Sequence, residues 1–152
     1  MTPARKPLPT KERLMALSLF RYRLRSFLRF SEDAAREVGI TVLQYQLLLH
    51  VCGFPGRDWA TISELAERLQ SHLHGVVALV SRCEELGLVK RRQSRRDRRQ
   101  VEVHLLAKGR KCLEHLAFEH EAPLADLARA IEAAASTPGV TASSGGSPDS
   151  RA

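Results

Sequence analysis

Residues 62–110 read ISELAERLQSHLHGVVALVSRCEELGLVKRRQSRRDRRQVEVHLLAKGR, and the order of patterns in this stretch decides the fold. A short helix is predicted over residues 62–69, where apolar residues recur at helical spacing. It opens with TISE at residues 61–64, the signature of a capping box, in which a Thr hydroxyl and a Glu carboxylate satisfy free backbone N–H groups. After a two-residue turn, a second helix is predicted over residues 72–86 and ends before a glycine.

A basic β-hairpin is predicted directly after this helix pair. Residues 88–92 form the first strand, and residues 101–105, VEVHL, alternate apolar and polar side chains as a half-buried strand does. Residues 94–99 connect the two strands as the hairpin tip. Helix, short turn, helix and hairpin is the order of a winged helix-turn-helix, in which the second helix lies in the DNA major groove. The hairpin tip would then reach the neighbouring phosphate backbone or the minor groove.

The two faces of the second helix differ in composition. Residues at i, i+3, i+4 and i+7 predict an inward face made of Leu73, Val76, Val77, Val80 and Cys83. The outward face is predicted to be small and polar, without bulky apolar groups that would obstruct close approach. Its members are His72, His74, Gly75, Ala78, Ser81 and Arg82.

Positive charge is concentrated on the predicted hairpin. The chain has a formal charge of +7 and a pI near 9.9, and residues 90–99, KRRQSRRDRR, hold seven basic residues and one acid. Such local charge favours an anionic partner, with nucleic acid first, and arginine pairs with phosphate through two parallel hydrogen bonds. We therefore predict that double-stranded DNA is contacted by Ser71, His72, His74, Gly75, Ala78, Arg82, Arg91, Arg92, Arg95, Arg96, Arg98 and Arg99.

Helical patterns flank this core on both sides. A long helix is predicted over residues 11–38, and residues 42–52 form a helix that is apolar nearly all round and is therefore expected to be buried. Residues 107–135 are helical again, with Pro123 expected to divide them into two helices. Residues 1–10 are predicted to be a flexible arm, and residues 136–152, rich in Ser, Gly and Pro, a disordered tail.

Residues 40–110 resemble the multiple-antibiotic-resistance regulator (MarR) family. The resemblance is carried by ITVLQYQLLLHV, ELAERL, LVSRCEELGLV, the DRR of the hairpin and LLAKGR. It implies a mainly α fold: a winged helix-turn-helix core at about 41–106, a two-stranded β wing, and long dimerisation helices at about 11–38 and 107–135. Residues 11–135 would then be a single domain.

The resemblance also implies a function and several residue roles. It implies a homodimer on a pseudo-palindromic operator, often released by a small aromatic or phenolic ligand, with Phe20, His50 and Trp59 as candidates for the ligand pocket. Asp97 would brace the wing, and Arg99 would help to hold DNA. One departure is that Leu106-Ala107 or Leu105-Leu106 replaces the usual Leu-Thr, so the last long helix lacks its hydroxyl cap.

Other classes of function find little support in the sequence. No nucleophile–base group, phosphate-cradling glycine loop or metal carboxylate pair is present, so we do not expect an enzyme or a cofactor. His72 and His74, two positions apart on a helix, would point about 200° apart and could not easily share a metal. Three cysteines match no zinc or CxxC spacing and are expected to be reduced, although redox sensing stays open.

The sequence also bears on the cellular location of the protein and on its role, for which several hypotheses remain open. Without a secretory signal or an apolar run of about 18 residues, we expect a cytoplasmic protein with no membrane partner. The leading hypothesis is a ligand-responsive repressor. An architectural DNA-binding protein that ignores sequence is the alternative, motivated by the small face of the second helix. A winged-helix interaction module without DNA fits the dense arginines less well.

Overall fold

The computed structural model describes residues 8–139, which form six helices and three strands. The mainly helical winged fold predicted from the sequence is confirmed. Residues 1–7 and 140–152, which hold most of the predicted arm and tail, lie outside the described residues. The elements in chain order are α1 (Lys11–Glu37), α2 (Val42–Cys52), β1 (Trp59–Thr61), α3 (Ile62–Arg68), α4 (Leu73–Glu85), β2 (Val89–Gln93), β3 (Val101–Leu105), α5 (Ala107–Glu119) and α6 (Glu121–Ser136).

The chain divides into two compact units, one made of Met1–Phe27 with Leu124–Ala152 and the other of Leu28–Pro123. In the first unit the Arg13 guanidinium donates hydrogen bonds to the carbonyl oxygens of Ala134 and Thr137. This unit exposes many large apolar side chains for its size. They are Leu8, Leu14, Met15, Leu17, Leu19, Tyr22, Leu124 and Ile131.

The second unit is built around a three-stranded antiparallel sheet in the order β1-β3-β2. β2 and β3 are the predicted hairpin, with Arg92 opposite Glu102. β1 was not predicted, because a three-residue strand is too short to show an alternating pattern. The core beneath the sheet is apolar and closely packed. Its fully buried large side chains include Leu47, Leu48, Leu65, Val80, Leu88, Val103 and Leu116.

Helix α2 has the predicted bounds but is not buried on all sides. Leu43 and Leu49 are 42% and 40% exposed, whereas the polar Gln44 is buried. The Gln44 side chain accepts a hydrogen bond from the Thr41 backbone at 2.9 Å and so completes a capping box. The expectation of complete burial was therefore wrong, because the capping role brings a polar residue inward and turns two leucines outward.

The start of α5 lies unusually close to the start of β2. A Cβ placed on Gly109 would lie 2.1 Å from the Leu88 carbonyl oxygen, so this position accepts only glycine without movement of the backbone. The same carbonyl accepts a hydrogen bond from the Leu106 backbone at 2.9 Å. Leu106 caps α5 without a side-chain hydrogen bond, which confirms the missing hydroxyl cap.

The break between α5 and α6 falls at His120 rather than at Pro123. Pro123 is the third residue of α6, where its missing N–H removes no helical hydrogen bond. The buried His120 ring packs at 4.9 Å from the Tyr45 ring, and its Nε2 lies 2.8 Å from Ser31 Oγ. The prediction of two helices is thus confirmed, but proline begins the second helix instead of ending the first.

Candidate nucleic-acid interface

Helix α3 is fixed at its start by the predicted capping box. The Thr61 hydroxyl accepts from the Glu64 backbone at 3.3 Å, and Glu64 Oε2 accepts from the Thr61 backbone at 2.8 Å. Arg57 forms an ion pair with Glu64, and its guanidinium lies 4.2 Å from the Phe54 ring centre and 3.9 Å from that of Trp59. Burial raises the pKa of Glu64, but the hydrogen bonds from Thr61 and Arg57 outweigh it, so the pKa lies below its usual 4.5.

The turn from α3 to α4 depends on a left-handed residue. Gln70 has φ 50°, a conformation that few residues other than glycine adopt readily. Its backbone N–H donates to the Glu67 carbonyl at 3.1 Å, and the Ser71 N–H donates to the Ala66 carbonyl at 3.0 Å. These bonds end α3 and aim the chain into α4 within four residues.

Helix α4 begins one residue later than predicted, and its first turn carries no side-chain cap. His72 is the N-cap residue, with extended backbone, and its side chain makes no capping hydrogen bond. Because it lies outside the helix, its ring does not point away from that of His74. The two rings stack with centroids 5.7 Å apart and planes inclined by only 4°. The expected divergence of about 200° was therefore wrong.

The faces of α4 also differ from the prediction. Val76, Val80 and Cys83 are buried as expected, and Leu79 joins them at 3% exposure. Leu73 and Val77, predicted to face inward, are 53% and 43% exposed. The outward face is thus not free of bulky apolar groups, because the inward stripe is centred one position away from the stripe chosen by spacing alone.

The predicted DNA-contact residues on this helix lie at the surface. Exposed positions are Ser71, His72, His74, Ala78 and Arg82, and Gly75 is half-buried. Ser81, also on the predicted outward face, is half-buried as well. Their contact with DNA stays a prediction.

Two neighbouring arginines of β2 point in opposite directions. Arg91 forms an ion pair with Glu84 of α4, and its guanidinium donates to the Val77 carbonyl at 2.8 Å and to Ser81 Oγ at 2.9 Å. Arg92 lies opposite Glu102 on the outer side of the sheet and is exposed. Because side chains alternate along a strand, Arg91 ties β2 to α4 and Arg92 faces solvent.

The side chains of Ser94 and Asp97 shape the tip of the wing by accepting hydrogen bonds. The buried Ser94 hydroxyl accepts from the backbone of Arg96 at 3.3 Å and of Asp97 at 3.4 Å. The Asp97 carboxylate accepts from the Arg99 backbone at 3.0 Å and from Arg99 Nε at 3.2 Å. Asp97 therefore makes the contacts of a residue that braces the wing.

Most of the wing charge is unneutralised. Within residues 8–139, Arg92, Arg95, Arg96 and Arg98 make no ion pair, and all four are exposed. Three of them, with Arg57, Trp59 and Glu102, surround a cavity of about 550 Å³ on the outer side of the sheet. Four arginines and one acid, Glu102, line this cavity, so its surroundings carry a net positive charge.

The three candidate pocket residues do not all belong to the same compact unit. Phe20 belongs to the first unit, whereas His50 and Trp59 belong to the second. Trp59 stacks on His104 with centroids 6.0 Å apart, and burial together with the charge of Arg68 lowers the pKa of His50 from its usual 6.5. A separate cavity of about 250 Å³ has both apolar and basic walls. Its lining is Val38, Gly39, Ile40, Leu86, Leu88, Lys108, Lys111, Cys112 and His115.

Burial makes two of the three cysteines, Cys83 and Cys112, poor candidates for a reactive site. Burial raises the pKa of the Cys83 thiol to about 11, although Arg82 opposes this, and burial also raises the pKa of Cys112. A thiol with a raised pKa is a poor nucleophile near neutral pH. In the range 8–139, no group of three His, Cys, Asp or Glu side chains converges in a way that could hold a metal ion.

The sequence did not reveal the roles of Arg57 and Glu84. Both act across the fold: Arg57 holds the cap of α3, and Glu84 holds the wing arginine. Partners seven residues apart and in different elements leave no local pattern. One sequence signal could have indicated the contact of Arg91 with Glu84: Arg91 occupies an inward position in the alternation of side chains along β2.

Helices α3 and α4 are joined by a four-residue turn and are followed by the arginine-rich hairpin of β2 and β3. This order of elements defines a winged helix-turn-helix protein. Residues 38–100 match the model of the MarR family, and the resemblance read from the sequence is thereby confirmed. A comparison with curated proteins finds no significant match. Between residues 8 and 139, no helix has the length and apolar character needed to cross a membrane.

Solved structures share the fold along most of the chain. AbsC, a MarR family transcriptional regulator from Streptomyces coelicolor, is 21% identical with a TM-score of 0.63, covering 81% of this chain and 80% of its own. A MarR family protein from Bacillus stearothermophilus is 24% identical with a TM-score of 0.65, covering 78% and 81%. The F27L mutant of S. aureus MepR, solved bound to an oligodeoxyribonucleotide, is 21% identical with a TM-score of 0.60, covering 74% and 80%. The chain therefore has the fold of MarR family transcriptional regulators.

Proposed function

We propose that this protein is a sequence-specific DNA-binding transcriptional regulator that acts as a homodimer, and not an enzyme. The observation that carries the proposal is the pairing of an exposed helix α4, without a side-chain cap, with a wing in which Arg92, Arg95, Arg96 and Arg98 have no acidic partner among residues 8–139. Free guanidinium groups beside a groove-sized helix suit an anionic duplex. The fold shared with an oligonucleotide-bound MepR mutant supports the same conclusion.

Helix α4 is the reading helix in this proposal. Ser71, His72 and His74 stand at its exposed N-terminal end, which is the part of a recognition helix that meets base edges. The first-turn N–H groups have no side-chain cap and remain available to a phosphate oxygen. Gly75 and Ala78 add little bulk, and Arg82 follows two turns further along.

The wing supplies affinity. Arg92, Arg95, Arg96, Arg98 and Arg99 would engage phosphates or the minor groove on either side of the site. Each neutralised phosphate contributes about −0.9 to the slope of log affinity against log salt. If three or four wing arginines engage per subunit, the dimer shows a slope of roughly −5 to −7.

Arg91 has a different part in this proposal from the direct DNA contact expected at first. Its guanidinium is engaged by Glu84, Val77 and Ser81, so it positions the wing against the reading helix. Asp97 and Ser94 similarly hold the tip in shape.

The homodimer would be formed by the N- and C-terminal helices. The first unit exposes large apolar side chains on both of its helical segments, which an isolated chain would leave in contact with water. A two-fold dimer places two reading helices on one side of the duplex, so the operator would be an inverted repeat.

Repression and release by a small aromatic or phenolic ligand complete the proposal. They rest on the family resemblance, with Phe20, His50 and Trp59 as the candidate ligand contacts. Release requires a ligand that binds better to the state that does not hold DNA, and such coupling amounts to about 1–3 kcal/mol in most systems.

The test is selection of bound duplexes from a random pool by the purified protein at moderate salt. Enrichment of an inverted repeat with half-sites about 10 base pairs apart is the expected result. The alternative is an architectural DNA-binding protein, favoured by the dense wing charge. It predicts tight, salt-sensitive binding to every duplex with no enriched sequence, and that outcome would overturn the proposal.

A further inference from the structure

Two large apolar side chains project from the reading helix where the sequence pattern placed none. Leu73 is 53% exposed and Val77 is 43% exposed, while Val76 between them is buried at 1%. Leu73 and Val77 are four positions apart, so they lie one above the other on the same flank of α4. They occupy its N-terminal half, the part that enters a groove.

This flank is the one that faces the wing strand. Arg91 of β2 donates hydrogen bonds to the carbonyl oxygen of Val77 and to the hydroxyl of Ser81. The ion pair of Arg91 with Glu84 neutralises the acid on the same flank. Leu73 and Val77 therefore form an apolar strip between the exposed crest of α4 and the base of the wing.

The major groove offers one apolar group on its base edges, the 5-methyl group of thymine. We propose that Leu73 and Val77 read thymine methyl groups and so determine part of the operator sequence. This inference rests on the proposed function and adds its specificity. The histidines and Ser71 at the start of α4 can donate and accept hydrogen bonds, whereas Leu73 and Val77 recognise only shape and apolar surface.

The surroundings of the strip suit such a contact. Gly75 and Ala78 leave the helix slim, so its axis can come close to the floor of the groove. The apolar strip gains free energy only when it leaves water, and a methyl group on the base is the surface that can cover it. Operator half-sites should therefore carry thymine where Leu73 and Val77 reach, on one strand or the other.

The experiment replaces thymine by deoxyuridine, one position at a time, in the operator obtained by selection. This change removes the methyl group and keeps base pairing and the other groove atoms. Binding of the full chain is measured by fluorescence anisotropy for the wild type, Leu73→Ala and Val77→Ala. Leu49→Ala, which truncates a leucine on α2 that is 40% exposed, is the matched control, and thermal unfolding checks that each variant is folded.

We expect deoxyuridine at the contacted position to weaken wild-type binding about fourfold for each buried methyl group, and about 15-fold when both half-sites are changed. The variant that lacks the contacting side chain should no longer distinguish thymine from deoxyuridine there. Leu49→Ala should distinguish them as the wild type does.

Two results would overturn the inference while leaving the proposed function intact. One is an operator that is selected and bound specifically, yet is indifferent to deoxyuridine at every position. The other is a variant that binds more weakly but keeps the full preference for thymine. If no operator emerges from selection, the proposed function itself fails, and the inference fails with it.

Discussion

The two helices of the helix-turn-helix motif differ in how the backbone N–H groups of their first turns are capped. At the start of α3, Thr61 and Glu64 satisfy backbone donors reciprocally, and Arg57 holds the carboxylate in place. At the start of α4, His72 offers no capping hydrogen bond, although a Ser, Thr, Asp or Asn there would. The first turn of α3 is therefore capped within the protein, whereas the first turn of α4 has no side-chain cap and, in the proposed function, offers its donors to DNA.

The same division runs through the basic residues. Arg57 and Arg91 are used inside the fold, on Glu64 and Glu84, and Arg92, Arg95 and Arg98 carry no acidic partner within residues 8–139. Some of the basic residues therefore stabilise the fold, whereas others are free for the DNA contact that we propose. Changing members of each group tests whether stability and binding are separable.

The largest effect is expected at the wing tip. Replacing Arg95, Arg96, Arg98 and Arg99 together by Gln should lower DNA affinity by a factor on the order of 10³ at low salt. The slope of log affinity against log salt should flatten by about 3 to 4 per subunit, as measured by anisotropy across a salt series. The free energy of unfolding should barely change, and a large loss of stability would show that the tip also supports the fold.

Removing the cap of α3 should have the opposite effect, lowering stability while leaving DNA affinity nearly unchanged. Thr61→Ala removes a buried hydroxyl that accepts from the Glu64 backbone, so it should lower the free energy of unfolding by about 1–2 kcal/mol in denaturant titrations. DNA affinity should stay within twofold of wild type at a temperature where the variant is folded, about 25 °C. A loss of affinity beyond that would mean that the cap of α3 acts on the reading helix directly.

Adding a cap to α4 sharpens the comparison further. His72→Ser supplies a hydroxyl that can accept from the first turn, so it should be about 1 kcal/mol more stable than the matched variant His72→Ala. If a phosphate uses the same donors, the serine variant should also bind DNA more weakly than the alanine variant. Equal affinities would show that DNA does not approach these N–H groups.

The smallest effect is expected from Glu64→Gln, which should change how the stability of the protein depends on pH. Its pKa in the folded chain lies below its usual 4.5, so its stabilisation is present at neutral pH and is lost as the pH falls through the folded pKa. The stability difference between wild type and Glu64→Gln should therefore shrink between about pH 7 and about pH 3. A difference that stays constant in urea titrations at both pH values would contradict the assigned role of the carboxylate.

The order of the elements could be predicted from the sequence, because capping boxes and the alternation of apolar and polar residues are local signals. The start of α3, the bounds of α2 and β3 and the hairpin all follow from them. The faces of α4 were harder, since Leu73, Val77 and Leu79 are equally apolar and only the packed structure decides which are buried. A stripe of spaced apolar residues fixes a helix, but not its rotation to within one position.

Contacts between distant elements were not predictable in the same way. The sequence predicts Arg91 to be a DNA-contacting residue of the wing, but the strand register directs its side chain towards α4. His72 looked helical until its extended backbone placed it outside the helix. Both errors concern the direction of a side chain, which a one-residue shift in register or helix start reverses.

The glycine at the start of α5 has a mechanical consequence for the wing. Gly109 packs directly against the Leu88 carbonyl, and that carbonyl also accepts a hydrogen bond from the Leu106 N–H. The backbone at the start of β2 is therefore held tightly in place. A hairpin clamped at its root cannot swing as a rigid arm. If the wing contacts DNA as we propose, adjustment to grooves of different width must come from residues 94–100, where arginine side chains are long enough to follow the backbone of the duplex.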